Sequence, residues 1–248
     1  MCDPCGRHVH CSGTAARGKP FATAADRWLL SRDVDIKGPK SEDPKDVVRR
    51  GYDAVSRLYD DAYGAETKYA ALLGDLGRRI PVASAVLDLG CGSGVPVART
   101  LVEAGHQVTG VDISEVQIRR AQERVPQAQF IRGDATAVTF EAASFDAVVF
   151  LYALIHIPLA EQPPLLRRIA GWLRPSGWFV ATTGHGAWTG TEQNWLGGGV
   201  PMWWSHADAA TNRAWITQAG LTVEREEFLP EGDAGHALFW ARRPAQGD

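Results

Sequence analysis

The sequence predicts an α/β fold, a doubly wound sheet that is mostly parallel with helices on both faces. Two observations carry this. From residue 85 to residue 183, apolar runs of four to seven residues alternate with segments of helical period, the pattern of parallel strands joined by crossover helices. The first of these runs, Ala85-Val86-Leu87-Asp88-Leu89, leads straight into Gly90-Cys91-Gly92-Ser93-Gly94. Glycines at alternate positions let the backbone turn sharply, lie close against a ligand and deliver it to a helix N-terminus.

The elements follow in order. Val47, Val48, Tyr52, Val55 and Leu58 form a helical stripe over 46–57, and Tyr69, Leu72, Leu73 and Leu76 a second over 68–79 that ends before Pro81. Strands are then expected at 85–89, 107–111, 128–131, 145–151 and 177–183, with helices at 95–104, 114–124 and 161–173 between them. Gly105 is expected to mark a helix end and Gly110 a strand end. A helix over 207–218 and strands over 221–229 and 236–242 close the domain. The connection between residues 184 and 206 has no clear period.

Composition bounds the function. At 248 residues, 45% hydrophobic and 22% charged, the chain suits one sizeable domain. A net charge of −3 without a Lys/Arg stripe argues against a nucleic-acid partner. No apolar run is long enough for a membrane span or a secretory signal, so no membrane partner and a cytoplasmic location are expected. Residues 1–43, with Gly, Pro and charge but no period, are expected to be a disordered tail, followed by a domain over 44–243 and a short tail over 244–248. Cys2, Cys5, His8, His10 and Cys11 have zinc-ligand spacing, but a structural zinc site needs a folded surround, and no metal is expected.

Three acids end three successive strands: Asp88 before the glycines, Asp112 in Val111-Asp112 and Asp134 in Gly133-Asp134-Ala135. A dinucleotide fingerprint counted from Gly90 would place its third glycine at position 95, where Val95 stands. Asp88 would also set negative charge beside a pyrophosphate. A cationic ligand without phosphates fits better, and S-adenosylmethionine is one. Asp112 is placed to accept the ribose hydroxyls, and Asp134 the exocyclic amino group of adenine.

With these motifs the chain resembles the class I S-adenosylmethionine-dependent methyltransferases. The resemblance runs over residues 46–243 and rests on the LDLGCGSG loop (87–94), VDIS (111–114), GDA (133–135), FDAVVFLYALIHIP (145–158) and LRPSGWFVATT (173–183). Within the class it is similar to the small single-domain bacterial enzymes that act on small molecules. The resemblance implies a Rossmann-like seven-stranded sheet in the order 3-2-1-4-5-7-6 with the last strand antiparallel. It also implies that Gly90 and Gly92 face the methionine portion, that Asp112 holds the ribose, and that Asp134, Ala135 and Ile113 frame the adenine. Cys91 then reads as a small filler of the loop, Leu151 as part of the same crevice, and Tyr52, Tyr59 and Tyr63 as residues of a helix that covers the cofactor.

Transfer from a sulfonium needs alignment more than acid–base chemistry. His156, just past the fourth strand, is the candidate base, with a hydrogen-bonded structural histidine as the alternative. His185 and His206 are weaker candidates, and His236 is read as structural. Leu151-Tyr152-Ala153-Leu154 stands where enzymes that methylate exocyclic amines of bases or glutamine carry an Asn/Asp-Pro-Pro-aromatic turn, which argues against nucleic-acid bases as substrate. The 184–206 connection holds Trp188, Trp195, Trp203 and Trp204, four of nine tryptophans, and a Gly197-Gly198-Gly199 hinge. It is expected to form an acceptor pocket and lid, the pocket comprising His156, Trp188, Trp203, Trp204 and His206. The reading is thus a methyltransferase acting on a small molecule at an O, N, S or C atom. The alternatives are an NAD(P)-dependent oxidoreductase and a non-catalytic S-adenosylmethionine-binding protein.

Overall fold

The computed structural model describes residues 42–63, 68–231, 234–245 and 247. Cys2, Cys5, His8, His10 and Cys11 lie outside them, as do residues 1–41 of the tail expected over 1–43. Helix α1 (Pro44–Tyr63) and helix α2 (Lys68–Arg79) precede an alternation of β1 (Ala85–Leu89), α3 (Val97–Glu103), β2 (Gln107–Asp112), α4 (Glu115–Arg124), β3 (Gln129–Arg132) and β4 (Phe145–Phe150). There follow α5 (Gln162–Trp172), β5 (Leu173–Gly184), β6 (Trp188–Glu192), β7 (Met202–His206), α6 (Ala209–Gln218), β8 (Thr222–Glu231) and β9 (Ala234–Arg242).

Among the described residues seven strands form one sheet in the order β3-β2-β1-β4-β5-β9-β8. The first five are parallel, and β9 inserts antiparallel between β5 and β8. With the β6–β7 hairpin set aside, this is the expected order. The reversal falls between β1 and β4, where a crevice opens beyond the carboxyl ends of the strands.

Alternation along the central strands builds a core on each face. Leu87, Leu89, Val148, Phe150, Phe179 and Phe239 pack with Leu165 and Ile169 of α5 and Ile216 of α6. Val86, Val108, Val149, Val180 and Trp240 face the other way, onto Leu73 and Leu76 of α2 and Leu101 of α3. Burying each large apolar side chain contributes about 1.5–3 kcal/mol, and a one-residue slip in register would send each side chain to the opposite core and spoil the packing of both.

Two expectations change. Gly110 lies inside β2 rather than at its end; a Cβ there would sit 2.7 Å from the Phe130 ring and 2.8 Å from Cys91 Sγ, so the glycine admits both neighbours. The 184–206 connection is not irregular but folds into the antiparallel hairpin β6–β7, in register from Trp188↔His206 to Glu192↔Met202. Its residues Met202 and Trp195 pack with Val48 and Val55 of α1 in a third cluster. Local period missed it because this hairpin buries its inward residues against α1 and the turn after β4 rather than in the main core. Among the described residues, no helix is long and apolar enough to cross a membrane.

Candidate active site

The glycine loop is fixed from β2. Gly90 and Cys91 donate their N–H groups to the Val111 carbonyl at 2.7 and 3.0 Å. The Asp112 carboxylate accepts from Gly92 N–H at 2.9 Å through Oδ2 and from Ser114 N–H at 2.8 Å through Oδ1. Burial nevertheless pushes the Asp112 carboxyl up to about 6, against the lowering effect of those hydrogen bonds. Each oxygen keeps a further lone pair for a ligand hydroxyl. Gly90 and Gly92 have left-handed backbones, φ +67° and +53°, which a Cβ would strain.

Asp88, on β1, is 2% exposed and its Oδ2 is buried with no hydrogen-bond partner. Burial, and then the nearby Asp112, hold its carboxyl well above the usual carboxylate range. With Gly90, Cys91, Gly92 and Leu151 it lines a cavity against the glycine loop. Burial also raises the Cys91 thiol well above its ordinary value, so Cys91 is neutral filler and not a thiolate nucleophile.

A second cavity adjoins at Gly90 and is lined by Asp112, Ile113, Asp134 and Ala135. The two together take in every cofactor position named from the sequence. Asp134 is held more firmly than the sequence indicates: Thr136 donates to Oδ1 through N–H at 2.8 Å and hydroxyl at 2.9 Å. Lys45 Nζ reaches Oδ2 at 2.8 Å and also Glu161 at 2.7 Å. Burial raises the Asp134 carboxyl, but Lys45 and Thr136 outweigh it and bring it below the ordinary value. Lys45 gives no local signal, being 89 residues from Asp134.

Helix α1 is clamped over this site. Asp53 Oδ1 accepts from the Ser114 hydroxyl at 2.6 Å, while Ser114 Oγ caps α4 by accepting from Gln117 N–H at 3.1 Å. Ser56 donates to Gln117 at 2.7 Å, Asp60 accepts from the Ser93 hydroxyl at 3.0 Å, and Arg120 and Arg124 pair with Asp60. On its other side Gly51 leaves room for the hairpin; a Cβ there would meet Met202 Cε at 2.6 Å.

His156 ends a 3-10 turn after β4 and is 5% exposed. Its Nδ1 lies 2.7 Å from the Trp203 carbonyl, which only accepts, so Nδ1 carries the proton. Nε2 is then the acceptor for the Tyr52 hydroxyl at 2.9 Å. Burial lowers the imidazole to about 4, so it is neutral, whereas burial raises the Tyr52 phenol well above its usual range.

Tyr52, Tyr59, Tyr63, Tyr69 and Tyr152 line a third cavity together with Trp195 and Trp204. Of the expected pocket residues, His156 and Trp204 are brought together, their rings 4.3 Å apart. Trp203 contributes its carbonyl. Trp188, 49% exposed, pairs with His206 at the hairpin base with ring centroids 6.2 Å apart. His206 in turn is held by the Gly186 carbonyl at 2.7 Å and packs on Gly184. Trp195 is the residue that reasoning from sequence left outside the pocket; besides Trp204, its ring neighbours are Tyr52 and Tyr59 of α1, which no pattern within the connection reveals.

The methyltransferase domain family matches residues 86–177, from β1 through the glycine loop into β5. An uncharacterized methyltransferase from Synechocystis sp. is 30% identical over 192 residues, covering 73% of this chain and 86% of its own length. The chain belongs to the class I S-adenosylmethionine-dependent methyltransferases. It is also 32% identical over 152 residues to 27-O-demethylrifamycin SV methyltransferase from Amycolatopsis mediterranei, the match covering 52% of this chain and 55% of that enzyme. The chain thus spans little more than half of that relative. In fold it is similar to the 1,6-didemethyltoxoflavin-N1-methyltransferase of Burkholderia thailandensis, at TM-score 0.65 and 20% identity over 81% of this chain and 88% of that one.

The cofactor of this methyltransferase family is S-adenosylmethionine, and the site fits it. Asp88 Oδ2 is a buried acceptor without a hydrogen-bond partner, the loop backbone at Gly92 is open with nothing within 4 Å of a Cβ position, and Asp112 at the end of β2 has lone pairs to spare for hydroxyl donors. Membership in this family sets aside the nicotinamide alternative.

Proposed function

We propose that the chain transfers a methyl group from S-adenosylmethionine to a small-molecule acceptor, in the cytoplasm and without a nucleic-acid partner. The joined cavities on either side of Gly90 support this reading most directly. When bound, the cofactor supplies a methyl group already activated on a sulfonium. The protein then has to align the acceptor and exclude water, effects that together supply roughly 7–11 kcal/mol at best.

Asp88 answers the ammonium of the methionine portion, Gly90, Cys91 and Gly92 cradle it, and Leu151 closes the wall. Asp112 accepts the ribose hydroxyls. Ile113, Asp134 and Ala135 frame the adenine, with Lys45 fixing Asp134 from α1. His156, neutral and weakly basic, positions the Tyr52 hydroxyl, which lines both the adenosine cavity and the aromatic cavity. We assign His156 this positioning role in preference to that of a free base. Trp204 belongs to the acceptor pocket.

Calorimetry with S-adenosylmethionine, S-adenosylhomocysteine, NAD and NADP tests cofactor choice, and a screen of small acceptors read by S-adenosylhomocysteine release tests transfer. Binding of NAD in place of S-adenosylmethionine would sink the proposal.

A further inference from the structure

All five tyrosines of the chain line one cavity. Three come from α1, where Tyr52, Tyr59 and Tyr63 share a face, and their rings meet one another at 5.6 and 5.0 Å. Trp195 stands against both Tyr52 and Tyr59, at 5.3 and 5.8 Å, and Trp204 stands against Trp195 at 5.6 Å. A second group of rings joins Tyr69 of α2, Tyr152 after β4 and His236 of β9, with centroids 6.1 and 4.9 Å apart. Tyr152 reaches this place with φ +56°, a left-handed backbone that is strained for a tyrosine and that such residues keep at functional sites.

The composition of this lining is selective. Among the described residues no phenylalanine is in the lining, which holds Ile155 as its one aliphatic residue. A pocket for an apolar acceptor has no need of phenols and indoles; rings with electron-rich faces and oxygen edges are what a cation prefers. The charged groups agree. Among the described residues Glu231 is the acid of the lining and neither Lys nor Arg is in it, and Glu231 Oε2 lies 3.1 Å from His236 Nε2. The enclosed space is small, about 40 Å³, so an occupant also extends into the part open to solvent. Tyr59, Tyr63 and Tyr69 also line the cavity against the glycine loop, so the two spaces share a wall.

We propose that this aromatic cage selects the acceptor: a small aliphatic amine whose nitrogen becomes a fixed cation when methylated. The inference rests on the methyl-transfer reading above. The acceptor nitrogen gives its lone pair to the methyl carbon as the carbon–sulfur pair leaves with sulfur, and the positive charge passes to nitrogen. The ring faces and Glu231 stabilise that charge where water is excluded. A tertiary amine enters as its free base, its ammonium proton left to water, and then completes the transfer without losing another.

The test uses the full chain, saturated with S-adenosylhomocysteine, titrated calorimetrically with choline and with its neutral isostere 3,3-dimethyl-1-butanol. Choline should bind at least tenfold more tightly. Trp204→Leu should weaken choline about tenfold and leave S-adenosylhomocysteine affinity unchanged, while Trp204→Phe, which keeps an aromatic ring, should bind choline within a few-fold of the parent. Equal affinity for choline and the isostere, or no binding of choline, with S-adenosylhomocysteine bound, overturns the cage and leaves methyl transfer standing. Failure of S-adenosylhomocysteine itself to bind overturns both.

Discussion

Tyr52 and His156, 104 residues apart in sequence, meet hydroxyl to Nε2 at 2.9 Å. Through this one imidazole, α1, the turn after β4 and the Trp203 carbonyl of β7 are tied together. The contact fixes the tautomer of the histidine and the aim of the phenol, so the cover of the site and its acceptor side are built as one unit. Tyr52→Phe removes the donor and leaves Nε2 buried without a partner, at a cost of about 1–3 kcal/mol. The expected outcome is lower stability to urea and lower turnover, with S-adenosylhomocysteine affinity within a few-fold of the parent. Unchanged stability and turnover would remove the bond from the mechanism.

His156 also sets a pH dependence of stability. Its folded value is about 4 against an ordinary 6.5, so the unfolded chain binds the proton more readily. The contribution is fully present above pH 6.5 and is lost as pH falls toward 4, on the order of 3 kcal/mol in all. Asp112, raised to about 6, acts oppositely, favouring the folded state below pH 4 and losing that contribution as pH rises to 6. The difference between parent and His156→Gln isolates the histidine. That difference should change steadily between pH 6.5 and 4; a difference flat across this range would contradict the assignment.

Cofactor binding should release protons near pH 6. Free Asp112 has its carboxyl near 6, and ribose hydroxyls donating to it, with a cationic ligand alongside, favour the carboxylate. Affinity should therefore rise with pH through 6, and calorimetry in buffers of different ionisation enthalpy should show the proton leaving. Asp112→Ala should remove that component and weaken binding by about 2–4 kcal/mol, or roughly 30- to 1000-fold.

Gly90 and Gly92 are predicted to differ. Both have positive φ, but a Cβ on Gly90 would lie 2.2 Å from the Ala153 Cβ, whereas one on Gly92 meets nothing within 4 Å. Gly92→Ala should cost only backbone strain, about 1–3 kcal/mol. Gly90→Ala must also displace the turn after β4 and should lower both melting temperature and S-adenosylmethionine affinity more. Equal effects of the two substitutions would count against this turn as a wall of the site.

The hairpin tryptophans separate in the same way. Trp188→Leu, at a half-exposed ring on the hairpin base, should leave acceptor KM near the parent value, whereas Trp204→Leu should raise it several-fold. A raised KM for the Trp188 variant would restore that residue to the pocket.

The seven-stranded sheet, its helices and the gathering of the strand-end acids beside the glycine loop were legible in the sequence. Each of these depends on local pattern: the period of two that gives β4 a face on each core, the glycines that only a sharp turn requires, the acids Asp88, Asp112 and Asp134 at strand ends. Such signals lie within a few residues of one another, because the backbone that makes the turn also carries the ligand contacts. Tertiary structure alone decided what covers the site. Lys45 reaches Asp134, Tyr52 reaches His156, Trp195 joins the tyrosines of α1, and the 184–206 connection becomes a hairpin because α1 gives its inward side chains a surface to bury. These pairings join segments 89 or more residues apart. Burial and hydrogen bonding select them only once the sheet has brought the segments together, so no local period encodes them.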